Sequence, residues 1–175
     1  ELYQQMLEEA VAQAKSGSFD GEIDQGWSPQ INVGASVMIP ERYVKDLNLR
    51  MSLYRRIAGL DDKNDVDAFG AELIDRFGTL PEEVEHLLKI IEIKQYCRRA
   101  GIEKIETGPK GAIISFRNSK FANPGGLIEF LTKQGSVTKL RPDHKLVYVR
   151  KWSKIESRLI GSLNLSKAMA KIAEK

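Results

Sequence analysis

The sequence is short of the residues that most chemistry requires. It has one cysteine, Cys97, and two histidines, His86 and His144. A lone cysteine forms no internal disulfide, which fits a reducing compartment and hence the cytoplasm. A metal site needs three or four convergent ligands. Two isolated histidines and a cysteine without a CxxC partner do not supply them. His86 reads most simply as a polar position on a long helix and His144 as a turn residue. Cys97, near Ile93 and Ala100 in a helical pattern, reads as core rather than nucleophile. No apolar run reaches the 18 or so residues of a transmembrane helix. The first residues lack the basic-then-apolar pattern of a signal peptide. GxxxxGK[ST], GxGxxG and GxSxG are all absent, so the chain offers no P-loop for ATP, no dinucleotide fingerprint and no nucleophile elbow. The carboxylate pairs Asp61-Asp62 and Glu82-Glu83 stand at loop or helix-start positions, where they cap rather than catalyse. The expectation is a fragment that is no enzyme by itself and carries no cofactor and no metal. Internal repeats and low-complexity segments are also missing.

What the sequence has is amphipathic pattern. The stretch DVDAFGAELIDRFG, Asp65 to Gly78, places Val66, Phe69, Leu73 and Phe77 at i, i+3, i+7 and i+11, one face of a helix. At about 100° per residue, Ala68, Ala71, Glu72 and Asp75 gather on the opposite face. Two small residues and two acids make a flat acidic strip. Asn64 or Asp65 is the expected cap, Gly78 the stop, and Pro81 the first turn of the next helix. That next helix is predicted from Pro81 to about Ala100, with Glu82, Glu83 and Glu85 at its positive end, Arg98 and Arg99 at its negative end, and Gly101 closing it. Its apolar residues cover more than half the circumference, as in a helix packed on two sides.

The remaining elements follow the same grammar. Leu2 to Ala14 is a helical pattern that begins at the first residue, Glu1, as expected of a piece of a longer protein. Residues 18–30 read as a loop with Trp27. Ile31 to Ile39 is extended, one or two short strands ending at Pro40. Asp46 caps a helix from Leu47 to about Leu60. From Ile102 the pattern becomes ββαββ: strands 102–107 and 112–116 around Gly108-Pro109-Lys110-Gly111, a helix capped by Asn123, and strands 137–140 and 146–149. Leu127, Ile128, Phe130 and Leu131 are the expected buried side of that helix. Two glycines follow Asn123-Pro124, a weak signal for an anion at the helix start. Ser153 and Glu156 suggest a capping box for a last helix running to about Ile172, with Ile155, Leu159, Leu163, Met169 and Ile172 on its apolar face. The predicted fold class is α+β: a helix-rich first half packed with a small mixed or antiparallel sheet and a C-terminal helix.

The net charge of +3 conceals an asymmetry: residues 1–100 carry −6, residues 101–138 carry +2 and residues 139–175 carry +7. Opposite signs on two parts of a chain mark either differently solvated faces or two binding surfaces. Arg150, Lys151, Lys154 and Arg158 flank Trp152, an interleaving that could grip a nucleic-acid backbone. A tryptophan between a strand and a helix more simply plugs a core. A nucleic-acid-binding module using the basic segment Lys139 to Lys175 is therefore the alternative to a protein-docking domain.

LRMSLYRRIAGL (49–60), AELIDRFGTLPEEV (71–84) and INVGASVMIP (31–40) together resemble the C-terminal domain of the bacterial transcription-repair coupling factors. ELYQQMLEEAV at the start looks like the segment that joins this domain to the motor in the same family. The resemblance covers the chain from end to end and is strongest at RMSLYRRIA and ELIDRFG. It implies residues 1–17 as a connecting helix from the upstream motor region and 18–175 as a C-terminal regulatory domain. Within the latter the residue pattern places a helical part at about 41–100, the ββαββ part at about 102–150 and a C-terminal helix at about 153–173. It further implies a larger ATP-driven DNA translocase, of the helicase family, that displaces stalled RNA polymerase and recruits nucleotide-excision repair through UvrA. The domain would be autoinhibitory, docking on the UvrB-like, UvrA-binding module of the same chain and restraining the motor. Because that module's surface is basic in the family, the resemblance points to Glu72 and Asp75 as the partner contact. Arg76 could instead support Glu72 at i,i+4.

Overall fold

A computed structural model describes residues 28–175 except Ser36. The expected first helix, the loop after it and Trp27 lie outside the described residues. Among the described residues the order is β1 (Gln30–Asn32), α1 (Leu47–Ala58), α2 (Lys63–Phe77), α3 (Glu82–Ala100), β2 (Ile102–Gly108), β3 (Gly111–Phe116), α4 (Pro124–Gln134), β4 (Thr138–Leu140), β5 (Leu146–Val149) and α5 (Ile155–Ala173). The fold is α+β, and the described residues form five helices and a five-stranded mixed sheet in the order β1-β2-β3-β5-β4.

Helix α3 is the centre of the molecule. Val84, Leu87, Ile90, Ile91, Ile93, Cys97 and Ala100 are all buried, and they point in several directions. The helix therefore packs against α5, α2, β1 and β2 at once. Gly101 ends it with φ 73°, its N–H returning to the Arg98 carbonyl. The same core cluster holds Ile31, Leu53, Phe69, Ile105, Ile114, Leu146, Trp152 and Met169, so the helical half and the sheet share one interior.

The sheet departs from the expected ββαββ unit by one strand. β1 joins it as an edge strand parallel to β2, with Ile31 opposite Ile105, while the other pairings are antiparallel. Only Gln30–Asn32 forms a strand, although Val33, Val37 and Ile39 are buried as their pattern requires. Beyond Asn32 the main chain is held by side chains instead: the Ile39 N–H donates to the Tyr54 hydroxyl (2.7 Å), and Arg50 Nη1 donates to the Val44 and Lys45 carbonyls. Gly111 is required by the β2–β3 turn. Its φ is 125°, and a Cβ there would lie 2.0 Å from the Tyr148 carbonyl oxygen.

Several local expectations need correction. α2 opens two residues early, capped by Asp62, whose carboxylate accepts from the Asp65 N–H; Asp65 itself turns back to accept from the Asp61 N–H. Pro81 is the cap position of α3 rather than its first turn. The Ser153 capping box does not form, and α5 starts at Ile155 without a side-chain cap. The reason is upstream: the Arg150 and Trp152 N–H groups bond to Lys110 and Pro109 of the hairpin turn, which fixes the approach to the helix. In α4 only Leu127 is buried, and Ile128 is 62% exposed, because α4 packs at the edge against β4 and the end of α5. In α5 the buried positions include Ser162, Leu165, Ser166 and Ala170, which the apolar pattern missed. Small side chains there let α5 lie close to α3.

Candidate docking face

The acidic strip sits on the outer side of α2. The core face forms as its spacing requires, with Val66, Phe69 and Leu73 buried. Tyr43 fixes the far end of the helix by donating its hydroxyl hydrogen toward the Leu73 and Gly78 carbonyls. Ala68, Ala71 and Asp75 are exposed, and Glu72 is partly exposed, so the four predicted residues do share one solvent-facing surface.

The two acids differ in what surrounds them. Glu72 is clamped: Arg56 of α1 donates to both its carboxylate oxygens (2.6 and 2.8 Å), and Arg76 donates to one of them (3.0 Å). Arg56 also lies 4.9 Å above the Phe69 ring, and Arg76 the same distance above Phe77. Hydrogen bonds from Arg56, then Arg76, pull the Glu72 carboxyl down to a pKa of about 2. Asp75 makes no ion pair among the described residues. The strip is therefore less negative than its sequence suggests, with its uncompensated charge on Asp75. The Arg76 support for Glu72 was readable at i,i+4, whereas the Arg56 contact joins separate helices and had no local signal.

Beside the strip lies an apolar groove that the sequence reading did not single out. Gly70, Ala71 and Ile74 of α2 face Leu80 and Leu88 across a cavity of 350 Å³, rimmed by Asp67, Glu85 and Lys89. Ile74 is 51% exposed. Its position about 100° from Leu73 on the helix was the signal that could have found it.

The other candidate residues are structural or remain apart. Cys97 is fully buried, and burial pushes its thiol pKa up, away from thiolate chemistry. His144 occupies the β4–β5 turn with φ 67°. Among the described residues no group of three His, Cys, Asp or Glu side chains is placed to hold a metal. No described helix is long and apolar enough to cross a membrane. The Asn123 side chain accepts from the Gly126 N–H and donates to the Ile172 carbonyl, so α4's first turn is closed by its own cap and by α5. Trp152 is 6% exposed and seated against Gly161.

These features define a small α+β domain with an exposed, partly acidic helix face beside an apolar groove. Comparison with known proteins places it further. The family model of the TRCF domain matches residues 33–127. The chain is 43% identical over 152 residues to the transcription-repair-coupling factor of Rickettsia bellii, covering 86% of this chain and 13% of that protein. It is 33% identical over 160 residues to the factor of Escherichia coli, covering 90% of this chain and 14% of that one. A crystal structure of the C-terminal domain of a transcription-repair coupling factor superposes with a TM-score of 0.66 at 21% identity, over 85% of this chain and 95% of that one. The chain belongs to the TRCF domain family, the C-terminal domain of transcription-repair coupling factors. It spans about one seventh of the full-length relatives named here.

Proposed function

We propose that the domain is a mask. Through the outer face of α2 it docks on the UvrB-like, UvrA-binding module of the same full-length chain. It also restrains the translocase motor until RNA polymerase is engaged. The observation that carries this reading is the composition of that face: Asp75 exposed without a described ion pair, Ala68 and Ala71 small enough for close approach, and the apolar groove at Ile74 alongside. A basic module meeting this surface would pair with Asp75 directly and exchange with Arg56 for Glu72. Exposed ion pairs are weak and exchange readily, so the clamp is no barrier. A closed state favoured by about 3 kcal/mol would keep about 99% of molecules silent, and a large partner could overturn it.

The test is titration calorimetry between this domain and the separately expressed UvrA-binding module. The expected result is a one-to-one complex that weakens with salt and is lost on reversing both charges, Glu72→Lys with Asp75→Lys. In the full-length protein the same pair of substitutions should raise UvrA affinity and basal ATPase rate. Unchanged binding in the double variant would refute the site.

A further inference from the structure

We infer that Arg56 is a competitor built into the docking face, a reading that rests on the docking proposed for α2. Arg56 occupies the Glu72 carboxylate that a basic partner would take, and so sets how tightly the mask closes and how readily it is released.

The two arginines on Glu72 are not equivalent. Arg76 donates to Oε2 alone (3.0 Å). Arg56 donates from Nη1 to Oε2 (2.6 Å) and from Nη2 to Oε1 (2.8 Å). Among the described residues Oε1 therefore has Arg56 as its one hydrogen-bond donor. Loss of Arg76 leaves both carboxylate oxygens engaged, whereas loss of Arg56 opens Oε1. Arg76 also shares α2 with Glu72, four residues on, and travels with the docking face. Arg56 reaches the carboxylate from α1.

The geometry suits a group that lets go and returns. The Arg56 and Glu72 side chains are 44% and 36% exposed, so an incoming cation can reach the pair. Exposed ion pairs exchange at small cost, and the clamp does not block docking. Its fork of two bonds nevertheless makes Arg56 the better-placed of the two arginines on this carboxylate. Arg56 also has a second resting place, with its guanidinium 4.9 Å from the centre of the Phe69 ring. Phe69 is buried in the core face of α2 and stays where it is when a partner arrives. An Arg56 displaced from Oε1 thus remains over Phe69, beside the carboxylate it has left.

The two acids of the face then divide the work. Asp75, with no described ion pair, supplies attraction that nothing in the domain opposes. At Glu72 a cation of the partner gains Oε1 only as Arg56 loses it, and Arg56 retakes it as the partner withdraws. The closed state is weaker than the two carboxylates alone would make it, and a mask that must open benefits from that.

The test is the apparent affinity of the full-length protein for UvrA, measured together with basal ATPase rate. If UvrA binds only unmasked molecules, a mask closed several times more tightly lowers that affinity by the same factor. Arg56→Met should lower it about threefold or more, with a fall in ATPase rate. Arg56→Lys keeps the charge but has no fork, and should lower it by about twofold. A change at constant charge separates competition at Oε1 from long-range attraction. Arg76→Met removes a charge from the same carboxylate and should have the smaller effect, because both oxygens stay on Arg56. Circular dichroism would establish that each variant is folded. Unchanged or raised UvrA affinity in both Arg56 variants would overturn the proposal, as would equal effects of Arg56→Met and Arg76→Met. Either result beside an opened Glu72→Lys, Asp75→Lys protein leaves the docking reading standing. A double charge reversal that also changes nothing removes the docking reading and this proposal with it.

Discussion

Gly161→Ala sets two well-understood effects against each other. In a helix interior alanine is favoured over glycine by about 1 kcal/mol, so helix propensity alone predicts stabilisation. The structure predicts the reverse. A Cβ at Gly161 would lie 2.1, 2.6 and 2.8 Å from Cζ2, Cε2 and Cη2 of Trp152. Carbon atoms rest about 3.5–4.0 Å apart, so the ring or the helix must move by over an ångström. The ring has little freedom: it is buried, Tyr148 packs on it at 5.9 Å, and the Trp152 N–H and carbonyl bond to Pro109 and Arg158. Overpacking of this kind costs about 1–3 kcal/mol and sometimes more. The net expectation is a loss of up to about 2 kcal/mol, read as a lower urea midpoint at unchanged slope. In a Trp152→Leu background the clash is gone and the propensity gain should reappear, giving a coupling energy above about 1 kcal/mol in the double-mutant cycle. A Gly161→Ala protein as stable as its parent or more so, with no coupling to residue 152, would refute the packing account.

Three further outcomes follow from the structure. Asp75→Lys should reduce affinity for the UvrA-binding module more than Glu72→Lys by calorimetry, because a partner must exchange with two arginines to reach Glu72 and meets Asp75 directly; the opposite ranking would mean that Asp75 is not the principal contact. Lys94 is 2% exposed, and burial lowers its pKa to about 7. The folded state thus releases a proton that the unfolded chain keeps to about pH 10.4, so stability should rise with pH between 7 and 10 and be lowest below 7. Lys94→Met should therefore flatten this pH dependence, and a variant whose stability rises between pH 7 and 10 as steeply as the parent's would contradict this. Gly111→Ala should abolish folding or cost more than about 3 kcal/mol, since it combines positive φ with a clash against the Tyr148 carbonyl; a thermal melt within a few degrees of the parent would exclude the turn geometry.

What the sequence made legible was local. The core face of α2, the charges and glycine stop of α3, the Asn123 cap and both hairpins each depend on residues within a few positions of one another. The surface placement of Ala68, Ala71, Glu72 and Asp75 also followed from helix arithmetic. The misses are contacts across the chain. Nothing near Ile31 announces a parallel partner at Ile105, and nothing near Glu72 announces Arg56 on another helix. Ser153 and Glu156 had the right spacing for a cap, but the hairpin turn had already claimed the main chain beside them. Gly161 was a signal left unread, since a glycine inside a helix calls for a packing reason, and Trp152 is that reason.

The parallel edge strand has a consequence for how the domain is made. Ile31 finds its place only beside Ile105, and Val33 offers its carbonyl to Arg158, 125 residues later in the chain. Contacts of such sequence separation form late, because a long loop must close before they yield any stabilisation. During vectorial synthesis the apolar flanks of α3 therefore emerge well before α5 exists to cover them. A chain arrested or cut before α5 should present that helix as an exposed hydrophobic surface, open to chaperones, aggregation and proteolysis. Cover for the flank of α3 thus waits on α5, the helix that packs most extensively against it.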